Sequence, residues 1–270
     1  MLPIPERIPE PIVPEPLGSD AVDVSAPRLS GPVLMSQGWL DVTFLHWAVE
    51  PAEVARFMPP GIRPDTFEAT SYVGLVAFRM VGAGIGRGPA VPRVGTFLET
   101  NVRLYSVDST GRRGVVFLSL DADRALVVAG ARVAFGLPYR WARMSHRHTV
   151  TSSGDQHEYD GRLRWPGVHG GTHIVVRVGE PRAAEPLDDF LVARWGLHSR
   201  HVGLNLFTPN QHQPWPLRSA ELVDLRDDLI ASVGLGDLAS RPPDRVAFSD
   251  GVFARFALPT RSSRPHRAIP

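Results

Sequence analysis

The run Phe97-Leu-Glu-Thr-Asn-Val-Arg-Leu-Tyr105 places a carboxyl, an amide, a guanidinium and a phenol at two-residue spacing. As a strand it puts Phe97, Glu99, Asn101, Arg103 and Tyr105 on one face, with Leu98, Thr100, Val102 and Leu104 on the other. The apolar face calls for a core. The polar face is either a solvated sheet surface or the wall of a pocket. Glu99 and Arg103 lie about 13 Å apart along an extended strand, so each needs its own partner or a ligand. A second run, Ala129-Gly-Ala-Arg-Val-Ala-Phe-Gly-Leu-Pro-Tyr-Arg140, takes a helix into Gly136, suited to φ > 0, and out through Pro138. Tyr139 and Arg140 then open a strand from a rigid corner.

Three other clusters carry weaker chemistry. His146 and His148, in Met144-Ser-His-Arg-His-Thr-Val150, share a strand face and make half a site for zinc, copper or iron. A third ligand would have to come from His157, His173 or Glu99. Arg143 and Arg147 beside them repel a cation, so no metal is expected. In His212-Gln-Pro-Trp-Pro-Leu217 two prolines present the Trp215 ring with little freedom. It is either a packed plug or an aromatic lid, with His212 able to transfer a proton. Gly82-Ala-Gly-Ile-Gly-Arg-Gly88 has Arg87 where a dinucleotide fingerprint needs Gly, and prolines rather than a helix follow. It reads as a mobile loop.

The elements that must position these groups are mostly strands. Period-two alternation and β-branched content mark strands over 39–49, 72–81, 96–106, 114–121, 139–151, 157–165, 172–178, 198–207 and 245–258. Asp108-Ser-Thr-Gly111 and Ser152-Ser-Gly-Asp155 read as hairpin turns. Short helices are expected over 51–57, 123–135 and 187–195, and 219–233 is ambiguous. This predicts one α+β domain over 33–260 on a large, mainly antiparallel curved sheet or barrel. A Pro-rich arm covers 1–32, either draped on the surface or crossing to a second subunit in a homo-oligomer. A polar tail covers 261–270.

Composition excludes whole classes of chemistry. The chain has 270 residues and a formal net charge of +1, which argues against a nucleic-acid or anionic-membrane surface. No apolar run reaches the length of a membrane span and no secretory signal is recognisable, so a cytoplasmic location is expected. There is no Cys, hence no disulfide, thiolate metal site or cysteine nucleophile. There is no Lys, which excludes a lysine Schiff base, a P-loop lysine and a pyridoxal anchor.

Six segments occur in an order that resembles the YqjF-like family of bacterial proteins. They are Trp39-Leu-Asp-Val-Thr-Phe-Leu-His-Trp47, Phe57-Met-Pro-Pro-Gly-Ile-Arg-Pro-Asp65, Tyr72-Val-Gly-Leu-Val-Ala-Phe-Arg-Met80, Phe97–Tyr105, Phe135-Gly-Leu-Pro-Tyr139 and His212–Leu217. The family is related to the acetoacetate decarboxylase-like superfamily. That resemblance implies a cone-shaped antiparallel barrel with an interior pocket, Glu99 as the pocket's strand glutamate and Arg132 as the arginine of the superfamily's Gly-Arg-Glu triplet, whose glutamate is Val133 here. It also puts Tyr139 and Arg140 where those decarboxylases carry the Schiff-base lysine and its neighbour. A phenol cannot replace an amine in imine formation, but it can donate a hydrogen bond to a carbonyl or enolate oxygen.

The expected function is therefore acid–base chemistry (isomerisation, dehydration or cyclisation) on a carbonyl or carboxylate compound, without a cofactor. Glu99, Tyr139 and Arg140 are the expected catalytic groups. Arg103, Arg132, Asn101, Tyr105, His212 and Trp215 are the expected substrate contacts. The alternatives are a non-catalytic small-molecule binding or sensing protein, and a structural role for the polar strand.

Overall fold

A computed structural model describes residues 23–92, 94–152 and 154–262, so most of the Pro-rich arm and residues 263–270 lie outside the described residues. The strands are β1 (Val33–Val49), β2 (Ile62–Pro64), β3 (Ser71–Ile85), β4 (Phe97–Asp108), β5 (Arg113–Ala122), β6 (Tyr139–Thr151), β7 (Gly154–Leu163), β8 (Gly171–Pro181), β9 (Gly196–His201), β10 (Leu204–Gln211), β11 (Leu217–Asp227), β12 (Arg245–Ala257) and β13 (Thr260–Arg261). The helices are α1 (Pro51–Ala55), α2 (Ala125–Phe135), α3 (Pro186–Val192) and α4 (Leu229–Ser232).

All thirteen strands join one sheet in the order β13-β10-β9-β5-β6-β7-β8-β11-β12-β1-β3-β4-β2, and it curls until β5 also pairs with β4 and β10 with β12. Pairing is antiparallel except where β5 runs parallel to β6 and β9. The fold is thus the expected mainly antiparallel α+β type, with a parallel step at the Pro138 corner. That step arises because α2 carries the chain from the end of β5 back to the start of β6, a crossover that only a helix-length connection permits.

Curling gives the sheet two differently filled faces. Phe44, Val76, Phe97, Leu120, Tyr139 and Phe256 belong to one apolar cluster. Leu45, Leu75, Val102, Leu104, Ala142 and Phe248 belong to the other. The alternation along β4 therefore runs as expected: Val102 and Leu104 are fully buried on one side, and the odd-numbered row points to the other.

Three local expectations are corrected. The strand expected over 198–207 is a hairpin, β9–β10, turning at Val202 (φ 47°) and Gly203 (φ 77°). Two consecutive left-handed residues make a tight hairpin turn, and valine, which rarely accepts that conformation, hides the signal. The ambiguous 219–233 is strand β11 followed by one helical turn, α4. The glycine-rich segment read as a mobile loop extends β3 to Ile85 and closes on the following residues through Val91 N–H to the Ala83 carbonyl (2.8 Å) and Ala83 N–H to the Gly95 carbonyl (2.8 Å).

Candidate functional site

The odd-numbered row of β4 opens on a cavity of about 560 Å³. Glu99, Asn101 and Arg103 line it together with Tyr139 from the start of β6. Most of the remaining wall is apolar: Trp39, Phe44, Phe78, Phe97, Phe117 and Trp215 supply rings, and the inner face of α2 (Val127, Gly130, Ala131, Ala134) covers one side. The volume lies within the range of pockets that enclose drug-sized molecules.

Tyr139 reaches the cavity because α2 ends where the sequence places it. Gly136 adopts φ 63° and its N–H caps the Arg132 carbonyl at 3.0 Å. A β-carbon at Gly136 would collide with the His201 ring, so the corner needs glycine for space as well as for φ. Arg132 Nη1 donates to the Tyr139 carbonyl at 2.7 Å, and its guanidinium lies 4.7 Å from the Trp165 ring centroid. Arg132, expected as a substrate contact, thus fastens the corner and is not among the residues that line the cavity.

At the wall, Tyr139 Oη donates to Glu99 Oε2 at 2.9 Å and Asn101 Nδ2 donates to Glu99 Oε1 at 3.2 Å. Burial pushes the Glu99 carboxyl up to about 7, against the lowering effect of those two hydrogen bonds. The Tyr139 phenol is raised well above its ordinary value, first by burial and then by the neighbouring carboxylate. Asn101 is 3% exposed, and its Oδ1 finds no partner among the described residues.

Arg103 is held differently. Its Nε donates to Tyr105 Oη at 3.3 Å, and its guanidinium carbon lies 5.6 Å from the Phe44 ring centroid and 5.7 Å from that of Tyr105. No carboxylate among the described residues pairs with it. Tyr105 does not line the cavity. It is fully buried behind Arg103, with its hydroxyl 2.6 Å from His46 Nε2. The phenol accepts from Arg103, and its hydroxyl shares a second hydrogen bond with His46. Burial holds His46 neutral, well below its ordinary pKa. His46 Nδ1 finds no partner among the described residues. Sequence reasoning missed His46; its one signal was a polar residue inside the apolar run Phe44-Leu-His-Trp47. Gly74 makes the cluster possible, since a β-carbon there would lie 3.0 Å from Tyr105 Oη and 3.2 Å from Arg103 Cγ.

Arg140 is on the other side of the sheet. Its Nε and Nη2 grip Asp121 at 2.5 and 2.7 Å, and Nη1 donates to Ser232 Oγ at 2.8 Å. Neighbours along a strand face opposite ways, so Tyr139 facing the cavity sends Arg140 away from it. Trp215 lines the cavity, stacked on Trp39 with centroids 5.9 Å apart, and its Nε1 donates to the Val192 carbonyl. His212 is buried behind it, with rings of Trp39, Trp195 and Trp215 around it and Nδ1 2.6 Å from the Gln213 carbonyl. Burial lowers its pKa to about 4. His146 meets His157 (Nε2 to Nδ1, 3.1 Å) and Asp41 rather than sharing a site with His148, whose ring stacks on His157. His173 instead contacts Asp160, and Glu99 belongs to the cavity.

This fold is that of the acetoacetate decarboxylase-like proteins. An acetoacetate decarboxylase-like enzyme from Sphingomonas wittichii RW1 superposes with a TM-score of 0.60 at 12% identity, covering 87% of this chain and 94% of that one. The enduracididine biosynthesis enzyme MppR, in complex with pyruvate, gives 0.56 at 18% identity over 88% and 93% of the two chains. Within that fold, the chain belongs to the DUF2071 family, an uncharacterized conserved protein family whose model matches residues 36–253. YqjF of Bacillus subtilis, an uncharacterized protein, is 31% identical over 191 residues, 70% of this chain and 76% of its own. Among the described residues no helix is long and apolar enough to cross a membrane.

Proposed function

We propose that the protein is an enzyme that moves a proton on a carbonyl compound bearing a negative charge, without forming an imine. The observation that carries this reading is the hydrogen-bonded set Glu99–Tyr139–Asn101 on the cavity wall, with a carboxyl pushed to about 7. A group with that pKa exchanges a proton readily at neutral pH. As a carboxylate Glu99 removes a proton from carbon next to a carbonyl; as an acid it returns one. A carbonyl oxygen seated beside Tyr139 takes over the phenolic hydrogen bond and is stabilised as charge develops on it. Arg103 holds the anionic group. Arg140, expected as a catalytic residue, supports β5–β6 instead.

The test is hydrogen–deuterium exchange into oxo acids in D₂O, followed by proton NMR. Exchange above the buffer rate should fall by about 10²–10⁴-fold in Glu99→Gln and in Tyr139→Phe. Exchange that survives both substitutions overturns the assignment. The second reading is a protein that binds such a compound and returns it unchanged. The tyrosine standing where related decarboxylases carry their nucleophilic lysine favours it, and recovery of an unaltered ligand from purified protein would support it.

A further inference from the structure

We infer that Asp41, His146 and His157 form a binding site for one divalent transition-metal ion of the zinc type, on the side of the sheet turned away from the cavity. The inference is independent of the chemistry proposed for Glu99 and Tyr139.

The set comes from three strands. His146 on β6 and His157 on β7 meet through Nε2 and Nδ1 at 3.1 Å. Two imidazole nitrogens on one zinc ion, each about 2.1 Å from it, lie about 3.0–3.4 Å apart, so the two rings already stand at the spacing of a metal's ligands. A carboxylate oxygen of Asp41, on β1, lies within 4.8 Å of both nitrogens. Closing that gap asks for a side-chain shift of at most about 1.5 Å. Two imidazoles and one carboxylate suit zinc, nickel or copper, whereas magnesium and calcium take oxygen ligands.

The backbone delivers Asp41 to this place. Leu40 and Thr43 pair with Arg79 and Ala77, so β1 carries one residue more than β3 across that stretch. Such a bulge re-aims a side chain. Asp41 takes φ 52°, a conformation that aspartate accepts more readily than most residues. The Tyr159 hydroxyl donates to the Asp41 carbonyl, and the Tyr159 ring stacks on His146 with centroids 4.6 Å apart. β1 pairs with neither β6 nor β7, so an ion here would staple strands that the sheet leaves unjoined.

The charges around the set permit a cation. Arg143 and Arg147 count against one in the sequence, but neighbours along a strand face opposite ways, so both point away from His146. Arg147 pairs with Glu158 on that other face at 2.7 Å. Arg79 is the guanidinium that reaches the set. Its Nε donates to Asp41 Oδ2, and ligating carboxylates are commonly held by such an outer hydrogen bond. The Arg79 side chain is 39% exposed, so it can follow the carboxylate as that turns to the ion. His148 does not belong to the set: its ring stacks on His157, and its Nε2 is 3.8 Å from Asp155.

The test is calorimetric titration of the full chain with zinc chloride at neutral pH, using protein made without a polyhistidine tag and stripped of metal by a chelator. One ion should bind per chain with micromolar or tighter affinity, and magnesium chloride should give no binding. His146→Asn, His157→Asn and Asp41→Asn should each weaken zinc at least tenfold. His173→Asn, in the neighbouring group Glu158, Asp160 and His173, should leave it unchanged. Substitution of the buried His157 can cost stability, so the wild-type chain supplies a second readout. Zinc should protect His146 from diethyl pyrocarbonate, mapped by mass spectrometry, while the exposed His148 still reacts. The inference is overturned if zinc does not bind below millimolar concentration, if the three substitutions leave its affinity unchanged, if His173→Asn removes binding, or if His146 is modified equally with and without zinc.

Discussion

Glu99 makes the clearest statement at the scale of a residue. Its carboxyl sits at about 7 in the folded protein, against an ordinary value of 4.5. The folded state therefore holds a proton that the unfolded state releases between those two values, and stability falls as pH rises through the window. The difference corresponds to about 3 kcal/mol. Glu99→Gln should remove that loss. In urea denaturation at pH 4.5 and pH 8, the variant should gain up to about 3 kcal/mol on wild type at the higher pH; parallel behaviour at the two pH values would contradict the burial argument. Arg140 makes the opposite case. Arg140→Met strands Asp121, 1% exposed, without its ion-pair partner and should cost about 3–5 kcal/mol in the same assay. A second substitution, Asp121→Leu, should restore much of it. Glu99, Asn101 and Arg103 were legible because a strand's two-residue repeat is written in the sequence. Arg140 was misread because adjacency to Tyr139 suggested a shared task, whereas a strand separates neighbours onto opposite faces. Tyr105 was read on the correct face but as a ligand contact; the depth at which a side chain lies behind Arg103 leaves no trace in spacing.

The element that covers one side of the cavity is α2. It bridges the parallel strands β5 and β6 and lays Val127, Gly130, Ala131 and Ala134 over the cavity. Gly130 is an ordinary helix-interior glycine in conformation, and a β-carbon there meets nothing within 4 Å. Gly130→Ala should therefore raise stability by about 0.5–1 kcal/mol, seen as a higher urea midpoint, because the unfolded chain loses freedom and the helix gains propensity. Gly130→Trp should fill the space and abolish ligand binding while leaving the circular dichroism spectrum unchanged. The helix, its glycine stop and the proline corner could all be read from composition and punctuation. The parallel pairing they produce could not, since nothing in residues 113–122 or 139–151 says which edge of the sheet they join. The β9–β10 turn was hidden for a different reason: Val202 occupies a conformation usually left to glycine or asparagine.

At the scale of the molecule, buried neutral histidines set the response to acid. His157, His198 and His212 are each lowered to about 4, chiefly by burial. The unfolded chain takes up their protons near 6.5 and the folded protein does not, so stability falls as pH drops from 6.5 towards 4. Asp188, held well below the usual carboxylate range by hydrogen bonds from Arg182 and Arg245, ties α3 to β12 and keeps contributing until still lower pH. Glu99 works in the opposite direction over the same range, so the histidine contribution is read from a comparison: thermal unfolding followed from pH 7 to pH 4 should show a midpoint that falls less in His198→Asn than in wild type, and the same pH dependence in both proteins would contradict the burial of that ring. By itself the sequence determined the strand-rich class, the polar row of β4, the rigid corner at Pro138 and the exclusion of lysine and cysteine chemistry, because residue type, two-residue alternation and the restricted torsions of glycine and proline are local properties. Only the tertiary structure decided that Glu99 meets Tyr139, that Arg103 faces the cavity while Arg132 and Arg140 are spent on structure, and that an apolar chamber stands over the row. Those outcomes depend on how a thirteen-stranded sheet curls and closes, and hence on contacts between residues far apart in the chain.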